Sequence, residues 1–243
     1  MPGMKIAITG SSGHLGQFLV DVLQEDFTIV KLGRKGDDID WTLGALPKPE
    51  DLQDVKGIIH LAWSLRDRRK DHHINKGGTI RLAQMAADLQ IPMLFVSSVA
   101  VLGNSYYGSS KLECEEIVKD LGGSVLRFGI VKEANMYTKQ EHYFKFVLKS
   151  KYYVNYTSSE DAQDSITNWL KLVRKKQNTS TNVTVVSGSE LTSIYFKDNN
   201  SLNIWIPMKA LAIILRIGAL CSRRARNLLD ALNSLATTPR IGH

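Results

Sequence analysis

The chain has 243 residues, 43% apolar and 23% charged, which gives length for a sizeable core and excludes a disordered or fibrous chain. Two cysteines, Cys114 and Cys221, exclude a disulfide framework, and no close Cys/His cluster points to a structural metal. Thirty-one basic against 24 acidic residues give +7, a balance that admits a nucleotide, a phosphorylated substrate, nucleic acid or a membrane surface as partner.

Met1–Lys5 runs directly into a short apolar strand, with no long apolar stretch and cleavage site of a signal peptide. Apolar runs then alternate with segments of helical period. Lys5–Thr9, Thr28–Leu32, Gly57–Ala62, Pro92–Ser97 and Ser124–Phe128 are expected as strands buried on both faces. His14–Glu25, Asn75–Leu89 and Tyr107–Leu121 are expected as helices, each with an apolar stripe (Leu19 and Leu23; Leu82 and Ala86; Ile117 and Val118). Such alternation predicts an α/β fold, a doubly wound parallel sheet with crossover helices on both faces. After Gly129 the rhythm weakens to a helix over Gln140–Lys149, a strand Tyr152–Tyr156, a helix Asp161–Val173 and a strand Val183–Val186. A basic amphipathic helix, Pro207–Leu229, closes the pattern. The longest apolar run, Ile204–Cys221, is interrupted by Pro207, Lys209 and Arg216, which argues against a spanning helix. The expectation is a soluble cytoplasmic protein with a dinucleotide-binding core over residues 1–130. A smaller lobe over 131–243 would lie on the carboxyl ends of the strands, in one compact unit.

The first strand runs into Thr9-Gly10-Ser11-Ser12-Gly13-His14-Leu15-Gly16 and a helix opens at once. Glycines spaced three apart suit a tight turn, close approach to a pyrophosphate and close helix–strand packing. The helix N-terminus then faces the anion. Gly10, Ser12, Gly13, His14, Leu15 and Gly16 are therefore expected at a dinucleotide. The second strand ends Leu32-Gly33-Arg34-Lys35, with glycine where an acid would bind the ribose 2′-hydroxyl and arginine placed for a 2′-phosphate. NADP(H) is the expected cofactor on that ground, with NAD(H) the alternative. Asp40 and Trp41 are expected near the adenine.

Ser97-Ser98 stands at a strand end, and Tyr107-Gly108-Ser109-Ser110-Lys111 opens a helix. Tyr and Lys four apart share a helix face. The ordinary phenol pKa of about 10 falls toward the working range beside an ammonium and a cationic nicotinamide. Ser98 would polarise a substrate carbonyl, Tyr107 would move the proton, and Lys111 would serve both phenol and ribose.

In order along the chain stand Thr9-Gly10-x-x-Gly13-x-x-Gly16, His60-Leu61-Ala62-Trp63, Asn75-x-x-Gly78-Thr79, Ser97-Ser98-Val99-Ala100-Val101-Leu102-Gly103, Tyr107-x-x-x-Lys111 and Leu126-Arg127-Phe128-Gly129. Together they resemble the extended short-chain dehydrogenase/reductase superfamily, the NAD-dependent epimerases and dehydratases, over about Lys5 to Asp161. The resemblance implies a Rossmann fold, catalytic Ser98, Tyr107 and Lys111, and a C-terminal lobe for a nucleotide-diphosphate sugar. It also implies a homodimer through the helices Asn75–Leu89 and Tyr107–Leu121. Leu61, Ala62, Trp63, Ser97, Phe128 and Gly129 would line the cofactor. The tail Leu228–Leu235 is similar to that of lipopolysaccharide-pathway members acting on 4-keto sugars, which adds polysaccharide biosynthesis to the expectation.

The departures are specific. Eight residues separate Ser98 from Tyr107, where the family inserts a longer loop, and Gly129–Tyr152 is abbreviated. Trp63 replaces a common alanine and Phe128 a common proline. Val99 and Ala100 leave no acidic pair beside Ser98 for eliminating water, so dehydration is set aside. The reaction expected is reduction of a keto group, with C4 epimerisation on retained NAD or a non-catalytic, NADP(H)-sensing module as alternatives. His72-His73 reads as part of a solvated loop rather than a metal site, and scattered basic residues argue against nucleic acid. The helix Pro207–Leu229 keeps three readings: core of the lobe, arginines at a substrate pyrophosphate, or an interfacial membrane helix.

Overall fold

A computed structural model describes residues 3–33, 37–43, 45, 47–66, 70–131, 153–177, 179, 183–191, 213, 216–220 and 222–241. The expected helix Gln140–Lys149, together with Arg34, Lys35 and Cys221, lies outside the described residues. In chain order the elements are β1 (Lys5–Thr9), α1 (His14–Leu23), β2 (Thr28–Gly33), β3 (Ile39–Asp40), β4 (Gly57–His60), α2 (His72–Asp88), β5 (Met93–Ser98), α3 (Tyr106–Asp120) and β6 (Ser124–Phe128). They continue as β7 (Ile130–Val131), β8 (Tyr153–Thr157), α4 (Ser159–Arg174), β9 (Val183–Val186), β10 (Gly188–Leu191) and α5 (Arg223–Thr237). Short 3-10 helices cover Pro49–Leu52 and Val99–Leu102.

Seven parallel strands run in the order β3-β2-β1-β4-β5-β6-β9. The chain order reverses between β1 and β4, and in open α/β sheets the carboxyl ends at that reversal form the binding crevice. A second sheet, β10-β8-β7, pairs β8 antiparallel to β10 and parallel to β7. Sequence reading did not anticipate β3, β7 or β10, which are short.

Side chains alternate across the main sheet into two cores. Ile6, Ile8, Leu94 and Val96 pack on one face with Leu19 of α1 and Ile166 and Leu170 of α4. Ala7, Ile58 and Phe95 pack on the other with Leu82 of α2 and Cys114 and Val118 of α3. Burial on both faces is why these strands read as unbroken apolar runs.

The last helix corrects the expected boundaries. Residues 216–220 are helical, and α5 starts afresh at Arg223, where the Ser222 hydroxyl accepts from Ala225 N at 3.5 Å, and runs on to Thr237. A serine cap within the apolar period restarts the helix, a device that periodicity alone does not register. No helix among the described residues is long and apolar enough to cross a membrane.

One polar bridge ties the crevice together. His60 Nδ1 lies 2.7 Å from Thr9 Oγ1 and His60 Nε2 lies 2.9 Å from Thr79 Oγ1. Since Thr79 donates its hydroxyl to Asn75 O, His60 is satisfied as the neutral Nε2–H tautomer, accepting from Thr9 at Nδ1. Thr9 Oγ1 in turn accepts from Leu61 N at 3.2 Å and Ala62 N at 3.1 Å. Full burial, and then the Lys111 charge, push the His60 pKa down from 6.5 to about 3. The unfolded chain therefore takes up this proton first, and the fold loses stability as pH falls from 6.5 toward 3. Denaturant midpoints measured across that window should fall with acid, and the slope should be shallower in His60→Gln. An equal slope in both proteins would show that other groups carry the acid sensitivity.

Candidate active site

The glycine-rich turn is built by close approach. Gly10 has φ +72°, and a Cβ there would lie 2.8 Å from Ala62 N, so the turn sits directly on the backbone leaving β4. A Cβ at Gly16 would lie 2.1 Å from Gly10 O, which fixes how tightly α1 packs against the turn. Gly13 N donates to Gly10 O at 2.9 Å and then begins α1 without any side-chain cap. The first N–H groups of α1 are thus left for an anion, with Ser12, Gly13 and His14 exposed around them and Leu15 half-buried. This cradle fits a dinucleotide pyrophosphate.

At the end of β2 the structure revises the premise drawn from Gly33. Asp37 folds back so that its Oδ2 would lie 1.8 Å from a Cβ at Gly33, and Ser11 Oγ donates to the same oxygen at 2.9 Å. An acid therefore stands where the strand itself offers none. Asp40 pairs through its backbone with Gly33 in β3, and its side chain lies outside the described residues. Trp41 is 3% exposed, packs in the core beside Leu32 and Leu52, and donates Nε1–H to Ala45 O at 2.8 Å. Its ring belongs to the core, with almost no surface open to an adenine.

Two other expected lining residues are also turned inward. Ser97 donates to Glu115 Oε1 at 2.5 Å, and Glu115 makes a buried pair with Arg127, 2.6 Å from Oε2 to Nη2. Phe128 is 2% exposed in the main core. Successive strand residues face opposite ways, so motif neighbours cannot both line the crevice. Gly129 follows Phe128, and its N donates to Thr157 Oγ1 at 2.8 Å.

Leu61, Ala62 and Trp63 leave β4 half-buried beside the turn. Across from them α3 presents Tyr107 and Lys111 on one face. Lys111 Nζ donates to Val96 O at 2.9 Å and lies 4.3 Å from the Trp63 ring centroid, 4.7 Å from Phe95 and 5.7 Å from Tyr107. Trp63 meets the Tyr107 ring edge-on, with centroids 6.2 Å apart. Burial pulls the Lys111 pKa down from 10.5 to about 8. Tyr106 points elsewhere, against His72 of α2. Ser98 ends β5 half-buried, and its Oγ accepts from Ala100 N at 3.2 Å, which leaves its O–H to donate.

The far end of the chain closes on the same place. Asp230 of α5 accepts from Tyr106 N at 2.6 Å and Tyr107 N at 3.3 Å, while Ser105 Oγ accepts from Gly108 N at 3.0 Å. Thr237 Oγ1 accepts from Asn104 N at 2.6 Å, and Asn227 Nδ2 donates to Leu65 O and Arg66 O beyond β4. Sequence reasoning missed Asp37, Glu115 and Asp230. Only Glu115 had a signal, as an acid on the helix that leads into the buried strand Ser124–Phe128 with its arginine.

Among solved structures, the chain resembles dTDP-4-dehydrorhamnose reductase from Bacillus anthracis in complex with NADP, at 17% identity and TM-score 0.64 over 85% of each chain. It also resembles UDP-N-acetylglucosamine 4-epimerase from Bacillus cereus, at 23% identity and TM-score 0.57 over 76% of this chain and 79% of that one. The Bordetella bronchiseptica enzyme WbmG in complex with NAD matches at 16% identity and TM-score 0.62, over 80% of this chain and 76% of that one. At such identities these likenesses establish the fold. A search of curated proteins finds no match. The family model for the NAD dependent epimerase/dehydratase family matches residues 6–150, from the first strand through the Tyr107/Lys111 helix, and the chain belongs to that family.

Proposed function

We propose that the protein reduces a keto group on a nucleotide-activated sugar, using a nicotinamide cofactor. The observation that carries this reading is the meeting of Tyr107, Lys111 and Trp63 beside an uncapped, glycine-lined helix start. Neighbours of the same fold include reductases and epimerases of nucleotide sugars, which supports that substrate class.

A reduced nicotinamide, when bound, supplies the hydride. Gly10, Ser12, Gly13, His14, Leu15 and Gly16 hold the pyrophosphate, and Leu61, Ala62 and Trp63 form the wall beside it. Ser98 donates a hydrogen bond to the substrate carbonyl oxygen, and Tyr107 gives that oxygen its proton. Lys111 binds the nicotinamide ribose and stabilises the phenolate left on Tyr107. Tyr107→Phe should lower turnover at least a hundredfold with cofactor affinity nearly unchanged, the scale of losing a positioned acid. Lys111→Ala should weaken both, Ser98→Ala should fall between, and Tyr106→Phe should be near wild type. Steady-state assays on a nucleotide-diphospho-4-keto sugar compare the four. Loss in Tyr106→Phe with retention in Tyr107→Phe would overturn the register. Nucleotide retained through purification, seen by native mass spectrometry, would replace reduction with C4 epimerisation.

For the cofactor, Arg34 and Asp37 act in opposition. Arginine attracts a 2′-phosphate, whereas a carboxylate repels it and accepts from a 2′-hydroxyl. NADP(H) remains the preferred cofactor on Arg34, and Asp37 narrows that preference to under about tenfold, roughly the scale of one charged hydrogen bond. Calorimetry should find NADPH gaining on NADH in Asp37→Asn and losing to it in Arg34→Ala. An unchanged ratio in Asp37→Asn would remove Asp37 from the ribose site.

A homodimer through α2 and α3 completes the reading. Ile74 and Leu112 are exposed on those helices, and Tyr106 beside them is 39% exposed, an apolar face suited to a second copy. Sedimentation at micromolar concentration should show a dimer. A monomer there would exclude an interface of this kind.

A further inference from the structure

Two helices begin at the crevice, and their first turns are treated oppositely. The start of α1 carries no side-chain cap. The start of α3 is closed twice, by Ser105 on Gly108 N and by the Asp230 carboxylate on Tyr106 N and Tyr107 N. An ordinary helix needs only the first of these, because the N-cap residue satisfies one donor and water can reach the others. Here the second cap comes from another element, 124 residues further along the chain, and it grips the peptide of Tyr107 itself. A carboxylate at a helix N-terminus is also favoured by the helix dipole, so this contact is stronger than a neutral bond.

The grip is reinforced on both sides. A Cβ at Gly103 would lie 2.6 Å from Thr238 Oγ1, so the loop before α3 is pressed against the end of α5. Thr237 takes the next amide, Asn104 N. At the opposite end of α5, Asn227 holds the carbonyls of Leu65 and Arg66, just beyond Trp63. The two strand-end loops that flank the Tyr107 phenol are therefore tied to a single rigid helix. The eight-residue loop from Ser98 to Tyr107 also supports this turn, since a Cβ at Gly108 would lie 2.0 Å from Ala100 O, and the Asp230 contact adds to that brace.

We infer that Asp230 is a positioning residue for Tyr107: its carboxylate, bonded to the Tyr106 and Tyr107 amides, fixes the first turn of α3 and so sets where the phenol delivers its proton. This rests on the reading of Tyr107 as the proton donor. Because a general acid must sit within hydrogen-bond reach of the atom it protonates, a fraction of an ångström at its backbone reaches the rate directly. The pyrophosphate is held elsewhere, at the α1 turn, and Lys111, one turn further along α3, keeps its own bond to Val96 O, so cofactor affinity changes little.

The test is a double-mutant cycle on the full chain. Asp230→Ala should lower kcat about tenfold with KM and cofactor Kd within twofold of wild type, and Asp230→Asn, which keeps one of the two acceptor oxygens, should recover part of the loss. In a Tyr107→Phe background, Asp230→Ala should cost nothing further, since the group it positions is gone. A merely structural role predicts the same additional loss in both backgrounds, and that result, or full kcat in Asp230→Ala, would overturn the proposal. A wild type inactive on every keto sugar tried would instead sink the functional reading. Hydrogen exchange at the Tyr106 and Tyr107 amides decides the positioning in that case. Exchange at least tenfold faster at both amides in Asp230→Ala, and at only one of the two in Asp230→Asn, supports it, and unchanged exchange in Asp230→Ala rejects it.

Discussion

Where β1 and β4 end side by side, two backbones approach more closely than any side chain would permit. Gly10 lies against Ala62, and next to it Thr9, His60 and Thr79 form a fully buried bridge between both strands and α2. The pieces are interdependent. Without a bare Cα at residue 10 the strands could not close, and without the bridge the β4 loop would lose the two amide bonds that hold Leu61 and Ala62 to Thr9. The glycine turn and the placement of Trp63 both follow from this junction. So does the neutral state of His60, because a proton at Nδ1 would remove the bond from Thr9.

The opposite side of the crevice depends on charge buried in pairs. Glu115 sits one turn beyond Lys111 on α3, is 0% exposed, and answers both Ser97 and Arg127. That arrangement pins α3 to β5 and β6, and breaking such a pair by removing one partner typically costs about 3–5 kcal/mol. Lys111 is buried in the same region, but against aromatic rings and a carbonyl rather than a carboxylate. Burial lowers its pKa to about 8, so Lys111 stays mostly protonated at neutral pH, while the helix is anchored beside it by the Glu115–Arg127 pair.

The strands, crossover helices and glycine turn were legible in the sequence because each has a local cause: apolar runs, a 3.6-residue period, glycines at fixed spacing. Tyr107 and Lys111 were legible for the same reason, four residues apart on one helix. What could not be read was any contact whose partners are distant in the chain. The strand end at Gly33 lacks an acid in sequence, yet Asp37, four residues on, fills the space beside it. Ser97 and Phe128 belong to motifs that adjoin the crevice but turn to Glu115 and into the core, since alternation along a strand outranks membership of a motif. Trp41, just after β3, is buried in the other core. The break at Ser222 was hidden by an apolar period that continues across it. The family model, matching residues 6–150, likewise stops well short of Asp230.

The span of the Asp230 contact carries a consequence for how the molecule assembles. The main sheet from β1 to β6 is knitted from crossovers between neighbouring segments, whereas this cap closes a loop of 124 residues. Loop-closure entropy grows only logarithmically with length, so the equilibrium penalty is modest, but contacts of such span form late on the way to the native state. The glycine turn and the loop after β4, both from the first third of the chain, can therefore be complete while the first turn of α3 is still unanchored. On the proposed reading, the grip on a pyrophosphate precedes turnover in a refolding chain, and the interval between them times the docking of α5.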